Sequence, residues 1–236
     1  NQLPPTVISR RAGEGGLGRS LFERLIDMGI KPSVLTIQYR MHPSISEFPN
    51  SQFYGGLLED GVSESDRATP TGLLWPDWDS PVAFLPVDGS EVLSPDGASK
   101  ENPTEAGWVV KILMNLLEPG DLLISDIGIV TPYAGQVRAI RDNLTESLQG
   151  VEVRTVDGYQ GREKDVIIFS CVRSNKDGNV GFLSDSRRLN VAITRARRGL
   201  VVIGNPDTLR CDRNWEAWLE HIRSRNLEAW HLLGTA

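Results

Sequence analysis

The pattern of hydrophobic and polar positions predicts strands that alternate with helices over most of the chain. Short apolar runs predict strands at residues 33–39, 82–87, 126–133, 151–156, 165–172 and 200–204. Apolar residues at helical spacing predict helices at residues 17–28, 44–54, 134–148, 185–198 and 214–230. The run at 165–172 is apolar at nearly every position, which is typical of a strand buried on both faces. We therefore expect an α/β fold, with a parallel sheet flanked by helices on both faces.

One further helix is predicted from the residues at its start. Asn102, Pro103 and Glu105 match the N-cap, first and third positions of a helix, and an apolar face follows as far as Leu116. Residues 55–99 are rich in Gly, Pro, Asp and Ser, so they are predicted to be the least regular part of the chain. Trp75 and Trp78 in this region could form a docking surface or pack in the core, and we favour core packing.

Composition narrows the classes of protein. Among the 236 residues, 39% are hydrophobic and 24% charged, which is typical of a globular chain. A net charge of −6 argues against coating nucleic acid through bulk positive charge, although it leaves room for a local basic groove. No apolar run approaches the roughly 20 residues of a membrane span. Cys171 lies in an apolar run and is expected to be a reduced core thiol, which suits a cytoplasmic or nuclear protein.

The segment from Arg187 to Arg198 carries five arginines and no acidic residue. If the helix extends through this segment, Arg188 and Arg195 lie on the same flank, seven residues apart. Arginines without acidic partners indicate a site for anions such as phosphates. An ordinary surface helix with solvated arginines explains the charge pattern equally well, so both interpretations stay open.

Three other segments could bind ligands. Residues 155–165 (TVDGYQGREKD) place two glycines and several polar side chains between two strands, where the alternative is a polar turn. Tyr39 and Arg40 combine an aromatic face with a cation, although such a pair means little alone. Thr131 could hold a phosphate at a strand end and Tyr133 could stack on a base. The histidines do not have metal-ligand spacing with either cysteine, so no metal site is predicted.

The segments together resemble one family. NQLPP, QYRMHP, DIGIVTPY, VDGYQGREKD and GFLSDSRRLNVAITRARRG occur here in the order seen in superfamily 1B helicases of the nonsense-mediated-decay group. The resemblance extends from Asn1 to about Asn205. It implies a RecA-like fold of the P-loop NTPase type. It also implies that residues 1–32 are a linker and helix that follow a first motor domain, and that residues 33–236 are the second RecA-like domain.

The same resemblance implies roles for particular residues. Gln2 would sense the γ-phosphate, and Arg40 and Arg195 would be arginine fingers, so these three are the predicted catalytic residues. Tyr39, Arg40, Gly161, Glu163 and Arg195 would contact ATP. The residues implied to contact single-stranded RNA or DNA are Thr131, Pro132, Tyr133, Thr155, Val156 and Asp157.

The motifs that grip phosphate and magnesium do not occur in this sequence. Neither GxxxxGK[ST] nor DExx is present, and in the family both precede the QLPP motif. The resemblance therefore implies that ATP and Mg²⁺ are held mainly by the first domain of the same polypeptide. The chain alone is then expected to be inactive as an ATPase. The complete protein is expected to be a 5′-to-3′ helicase, with protein regulators as further partners.

Two other functions compete with this one. A helicase-like domain could be retained only to bind RNA or protein, without catalysis. A dinucleotide-binding enzyme is suggested by Gly13, Gly15 and Gly18, which fit GxGxxG. No strand precedes these glycines, however, so the context that this motif requires is missing.

Overall fold

The computed structural model describes Ser9, Arg11 and residues 14–235, with side chains described as far as Leu233. Gln2 lies outside the described residues. The helices in this part of the chain are α1 (Leu21–Asp27), α2 (Pro43–Phe53), α3 (Pro103–Leu117), α4 (Ala134–Asn143), α5 (Ser186–Ile193), α6 (Pro206–Leu209) and α7 (Arg213–Ser224). The strands are β1 (Ile37–Gln38), β2 (Glu59–Asp60), β3 (Val82–Pro86), β4 (Val92–Leu93), β5 (Lys100–Glu101), β6 (Ile127–Thr131), β7 (Glu152–Thr155), β8 (Lys164–Ser170) and β9 (Ala196–Gly204).

The main sheet has five strands in the order β3-β9-β8-β6-β7, and every neighbouring pair is parallel. Strands β6 and β3 are buried at every position, and β8 is buried from Val166 onward. Apolar residues cover both faces of this sheet. One layer is centred on Trp215 and Trp218 of α7, and the other on α3 and α4. The prediction of an α/β fold, with a parallel sheet between helical layers, is confirmed.

Helix α3 begins as its sequence predicts. The Asn102 side chain accepts a hydrogen bond from the Glu105 backbone N–H at 3.1 Å, and Pro103 occupies the first helical position. The proline costs no hydrogen bond there, because the first backbone N–H groups of a helix have no partner within it. Glu105 is completely buried, which the start signal alone does not indicate.

Several predicted boundaries are wrong. The strand predicted at 33–39 is reduced to β1, which pairs only with β2, and Leu35 is 87% exposed. The helix predicted at 134–148 ends at Asn143, because Leu144 adopts an extended backbone conformation with ψ 131°. A separate 3₁₀ turn, Glu146–Leu148, follows.

The largest error concerns the arginine-rich segment. The predicted helix 185–198 ends at Ile193, and β9 begins at Ala196. Strand β9 pairs with β8 on one side and β3 on the other, so its β-branched run is held by two hydrogen-bonded ladders. Tertiary pairing therefore overrides the helical spacing of the preceding residues. Arg188 and Arg195 consequently do not share a helix flank.

Helix α1 does not bury its apolar side. The predicted helix 17–28 is limited to Leu21–Asp27, and none of its residues is buried. Leu21 is 67% exposed, and Met28, just after the helix, is 78% exposed. Of the two tryptophans in the irregular region, Trp75 is buried and Trp78 is 53% exposed, so core packing holds for Trp75 alone. In the described part of the chain, no helix is long and apolar enough to cross a membrane.

Candidate functional site

Four of the five arginines in the 187–198 segment pair with acidic residues that lie outside the segment, either just before it or further away along the chain. Arg187 pairs with Asp185 at 3.1 Å and Arg188 with Asp157 at 3.2 Å. Arg197 and Arg198 both approach Asp165, at 3.7 and 3.3 Å. The prediction of a row of arginines without acidic partners is therefore wrong for these four, because the fold brings the acids from neighbouring segments.

Arg195 is the exception. Its Nε donates to the Val191 carbonyl at 2.9 Å and its Nη2 to the Thr194 hydroxyl at 2.9 Å. Among the described residues, no carboxylate lies within ion-pair distance of its guanidinium. Burial, with the nearby charge of Arg40, lowers the pKa of Arg195 to about 10. A half-buried cation without a counter-ion is costly, which indicates a place that an anion completes.

Arg40 lies beside Arg195, and of these two arginines Arg40 is the one that forms an ion pair with the Glu163 carboxylate. The Arg40 Nε donates to Glu163, and its Nη1 donates to the Thr194 carbonyl at 3.1 Å. The hydrogen bond from Arg40 lowers the pKa of Glu163. Two guanidinium groups and one carboxylate leave this cluster with a net positive charge. We name Arg40, Glu163 and Arg195 the arginine cluster.

Hydrogen bonds with the side chains of Gln38 and Arg67 hold the turn that carries Tyr39 and Arg40. The Gln38 side chain accepts hydrogen bonds from the backbone N–H groups of Arg40 and Met41, at 3.0 and 2.8 Å, and also donates to Asp60. Arg67 donates to the Tyr39 and Arg40 carbonyls, both at 2.7 Å. Sequence reasoning missed Arg67, because nothing in the irregular 55–99 region relates it to residues 27 and 28 positions earlier.

Tyr39 and Gly161 are both accessible. The Tyr39 side chain is 65% exposed, and its ring lies against Gly61, where a Cβ would collide with it. Gly161 has φ +77°, a left-handed conformation that favours glycine. Gly161 and Glu163 precede β8, so they lie at the amino ends of the strands, which we call the amino edge of the sheet. The 155–165 segment runs from the carboxyl end of β7 to the amino end of β8, which the sequence pattern does not reveal.

The predicted nucleic-acid residues gather at the carboxyl ends of β6 and β7, but only some are accessible. Pro132, Thr155 and Asp157 are partly exposed. Thr131 and Val156 are buried, and the Thr131 hydroxyl has no hydrogen-bond partner among the described residues.

Tyr133 is 5% exposed, with its ring packed 5.3 Å from that of Phe182. Its hydroxyl accepts hydrogen bonds from Arg173 at 3.1 Å and from the Phe182 backbone at 3.3 Å. The Tyr133 ring thus lacks the open face that base stacking was expected to use, because the fold employs it as a packing and hydrogen-bonding centre.

We call the carboxyl ends of the strands the carboxyl edge of the sheet. A buried polar network supports it, and sequence reasoning missed this network. Glu91 accepts hydrogen bonds from Lys100 at 2.7 Å and Arg173 at 2.8 Å. Burial alone would raise the pKa of Glu91, but its donors lower it to about 2. Beneath it, Glu105 accepts from the Ser170 hydroxyl at 2.6 Å and the Val172 N–H at 2.8 Å. Val172 has φ 72°, which a β-branched residue adopts only when its surroundings hold it there.

Two segments join the opposite edges of the sheet. Arg188 and Asp157 make their ion pair near the carboxyl edge. Helix α5 then leads from Arg188 to Thr194, whose carbonyl contacts Arg40. Residues 157–163 lead likewise from Asp157 to Glu163. Both segments therefore run from the Arg188–Asp157 ion pair at the carboxyl edge to the arginine cluster at the amino edge.

The arginine cluster fits an anionic, phosphate-like group, because the described residues leave its positive charge unbalanced. No group of three or more histidine, cysteine, aspartate or glutamate residues in the described part of the chain is placed to hold a metal ion. Cys171 is buried and free, as the sequence predicts.

Comparison with known proteins identifies the family. The AAA domain family AAA_12 matches residues 17–207. Regulator of nonsense transcripts 1 from Dictyostelium discoideum is 45% identical over 96% of this chain, and its Arabidopsis thaliana homolog is 46% identical over 94%. The ATP-dependent helicase NAM7 from Saccharomyces cerevisiae is 43% identical over 95%. The chain therefore belongs to this AAA domain family and is a superfamily 1 helicase domain of the nonsense-mediated-decay type. It spans 17%, 18% and 24% of these relatives' own lengths.

Proposed function

We propose that this chain is the second motor domain of an ATP-dependent helicase that moves 5′ to 3′ along single-stranded RNA or DNA. The observation that supports this most is the arginine cluster. Arg195 is half-buried with no carboxylate partner among the described residues, and Arg40 lies beside it. Such a pair suits the charge that develops on the terminal phosphate during phosphoryl transfer.

Each residue of the cluster has a distinct part in this proposal. ATP, when bound with Mg²⁺, supplies the phosphoanhydride bond that is broken. Arg195 and Arg40 stabilise negative charge on the terminal phosphate, while Glu163 and the Thr194 carbonyl orient the Arg40 guanidinium. Tyr39 offers an exposed ring to the adenine or ribose, and Gly161 allows close backbone approach. Gln2 keeps its expected role as the third catalytic residue.

The carboxyl edge takes the strand in this proposal. Pro132, Thr155 and Asp157 offer accessible atoms there, and Thr131, Tyr133 and Val156 support them from within. Contacts of this kind reach mainly the sugar–phosphate backbone, so little sequence preference is expected.

The complete protein is proposed to contain a first RecA-like domain that holds most of the nucleotide and the magnesium ion. Residues 1–32 would then connect that domain to residues 33–236. The exposed apolar residues of α1 support this arrangement, because apolar side chains at such exposure favour contact with another surface. We further propose a cytoplasmic or nuclear location, regulation by other proteins, and no ATPase activity in the isolated chain.

The test compares ATP turnover by the full-length protein and by the 236-residue chain, each with and without single-stranded RNA and DNA. We expect turnover only by the full-length protein, increased by a strand. Cooperative urea unfolding of the chain, followed by tryptophan fluorescence, is the control that it is folded. A full-length protein that is inactive with both strands would instead favour the non-catalytic binding domain.

A further inference from the structure

A cavity of about 400 Å³ lies beside the 131–133 turn. Of the residues proposed above for the nucleotide or the strand, only Tyr133 lines it. Its walls come from the turn of the β4–β5 hairpin, from Tyr133 with Arg173, and from the loop around Phe182. The lining residues that matter here are Leu93, Lys100, Tyr133, Arg173, Gly181 and Phe182.

Two exposed apolar side chains stand on different walls of this cavity. Leu93 is 64% exposed and Phe182 is 54% exposed, although they belong to segments almost 90 residues apart in the sequence. Neither belongs to the two buried clusters that hold the sheet together. Since the core does not need them, their convergence on one cavity indicates a ligand with an apolar face.

Both walls are fixed in place by hydrogen bonds. On the hairpin side, the Gly135 N–H donates to the Ser99 hydroxyl at 2.9 Å, and Arg138 donates to Asp96 at 2.6 Å. On the opposite side, the Phe182 N–H donates to the Tyr133 hydroxyl at 3.3 Å. A cavity with fixed walls requires little ordering when a ligand enters, which favours binding.

The aromatic ring in the cavity wall indicates which ligand the cavity takes. The Arg188 guanidinium lies 5.4 Å from the centre of the Phe182 ring, but its charge is already met by Asp157 at 3.2 Å. The exposed Phe182 ring can therefore take a flat group by stacking rather than through charge. An unpaired base has this shape. Tyr133, which lines the cavity, directly follows Pro132, at the edge where the proposed strand runs.

We propose that this cavity holds one unpaired base of the bound single strand, stacked on Phe182 and flanked by Leu93. This base pocket rests on the proposed function, because it requires a strand at the carboxyl edge. Every base has an aromatic face, so the contact tolerates any sequence. Its effect is to hold one nucleotide of the strand in register with the domain.

The test measures the Kd of a labelled single-stranded oligonucleotide for the full-length protein at fixed salt without nucleotide. Phe182→Ala should weaken binding about 5- to 100-fold, as loss of one base–aromatic stack does, and Phe182→Trp should restore it. Leu93→Ala should weaken binding less. The matched controls are Trp230→Ala and Leu123→Ala, which remove side chains that are 55% and 68% exposed outside the cavity. These should bind normally.

A second arm replaces each nucleotide in turn by an abasic site. The wild-type protein should lose affinity most at one position of the strand, and the Phe182→Ala variant should not lose affinity at that position. Equal binding of the strand by wild type and Phe182→Ala overturns the base pocket, while the helicase proposal stands. Failure of the wild type to bind any strand overturns both.

Discussion

Two arginines at opposite edges of the main sheet differ in how their charge is met. At the carboxyl edge, the Arg173 side chain is 7% exposed and pairs with Glu91 at 2.8 Å. At the amino edge, Arg195 is half-buried, and among the described residues it donates only to a carbonyl and a hydroxyl. The charge of Arg173 is balanced within the fold, whereas no described carboxylate balances that of Arg195. An unbalanced guanidinium costs stability, so its retention indicates the edge at which we propose that an anion binds.

The same contrast explains how the two edges contact their proposed ligands. At the carboxyl edge, the cations Arg188, Arg173 and Lys100 already have carboxylate partners. That edge has few charges to spare, so stacking and backbone contacts are left to bind a strand. The amino edge has spare positive charge and suits phosphate. The two proposed binding sites thus differ in their balance of charge rather than in their number of arginines.

The largest expected effect on stability is at Arg173. Arg173→Met removes the partner of a buried carboxylate, so we expect the free energy of unfolding to fall by about 3–5 kcal/mol. Urea denaturation of the 236-residue chain, followed by tryptophan fluorescence, measures it. The control is Arg138→Met, which breaks an ion pair whose members are each 49% exposed and should cost less than about 1 kcal/mol. Similar losses for both variants would contradict the contrast.

Glu105, beneath the carboxyl edge, should make stability depend on pH. Burial raises the pKa of Glu105 from 4.5 to about 7. Folding therefore favours the protonated form of Glu105. The stability that this contributes is fully present below pH 4.5 and is lost as the pH rises through about 7. Relative to Glu105→Gln, the wild type should lose about 3 kcal/mol of unfolding free energy between pH 4.5 and pH 8. A constant difference between the two proteins across this range would show that folding does not raise the pKa of Glu105.

Arg195 should show the opposite sign from Arg173. Arg195→Met removes a half-buried cation that lacks a counter-ion, so we expect unfolding free energy to rise by about 1–2 kcal/mol. The same urea titration measures it in the 236-residue chain. A loss of stability comparable to that of Arg173→Met would mean that an internal partner already satisfies Arg195.

Sequence patterns predicted most of the fold but only part of the site. Local signals were sufficient for α3, where Asn102 and Pro103 define the start, and for β8, where an unbroken apolar run defines a central strand. They failed at Ala196, because β9 is held by strands that are distant in the sequence. Periodicity describes a segment alone, whereas this boundary depends on its neighbours.

The site was harder to predict for the same reason. The motifs drew attention to Arg195, but its lack of a carboxylate partner among the described residues depends on where Asp157 and Asp165 lie in space. Arg67 and Glu91 were missed entirely, since each acts on residues far away along the chain. The burial of Tyr133 likewise follows from packing against Phe182, and no local pattern encodes it.

The most direct measurement is ATP turnover by full-length Arg195→Ala, with strand affinity measured in the same protein without nucleotide. Turnover should fall about 10³-fold or more, while strand affinity stays near that of the wild type, because the two proposed sites lie at opposite edges. Arg223→Ala, which removes an α7 arginine that pairs with Glu228, is the control and should leave both unchanged. Near-normal turnover by Arg195→Ala would contradict the assignment of the amino edge to the nucleotide.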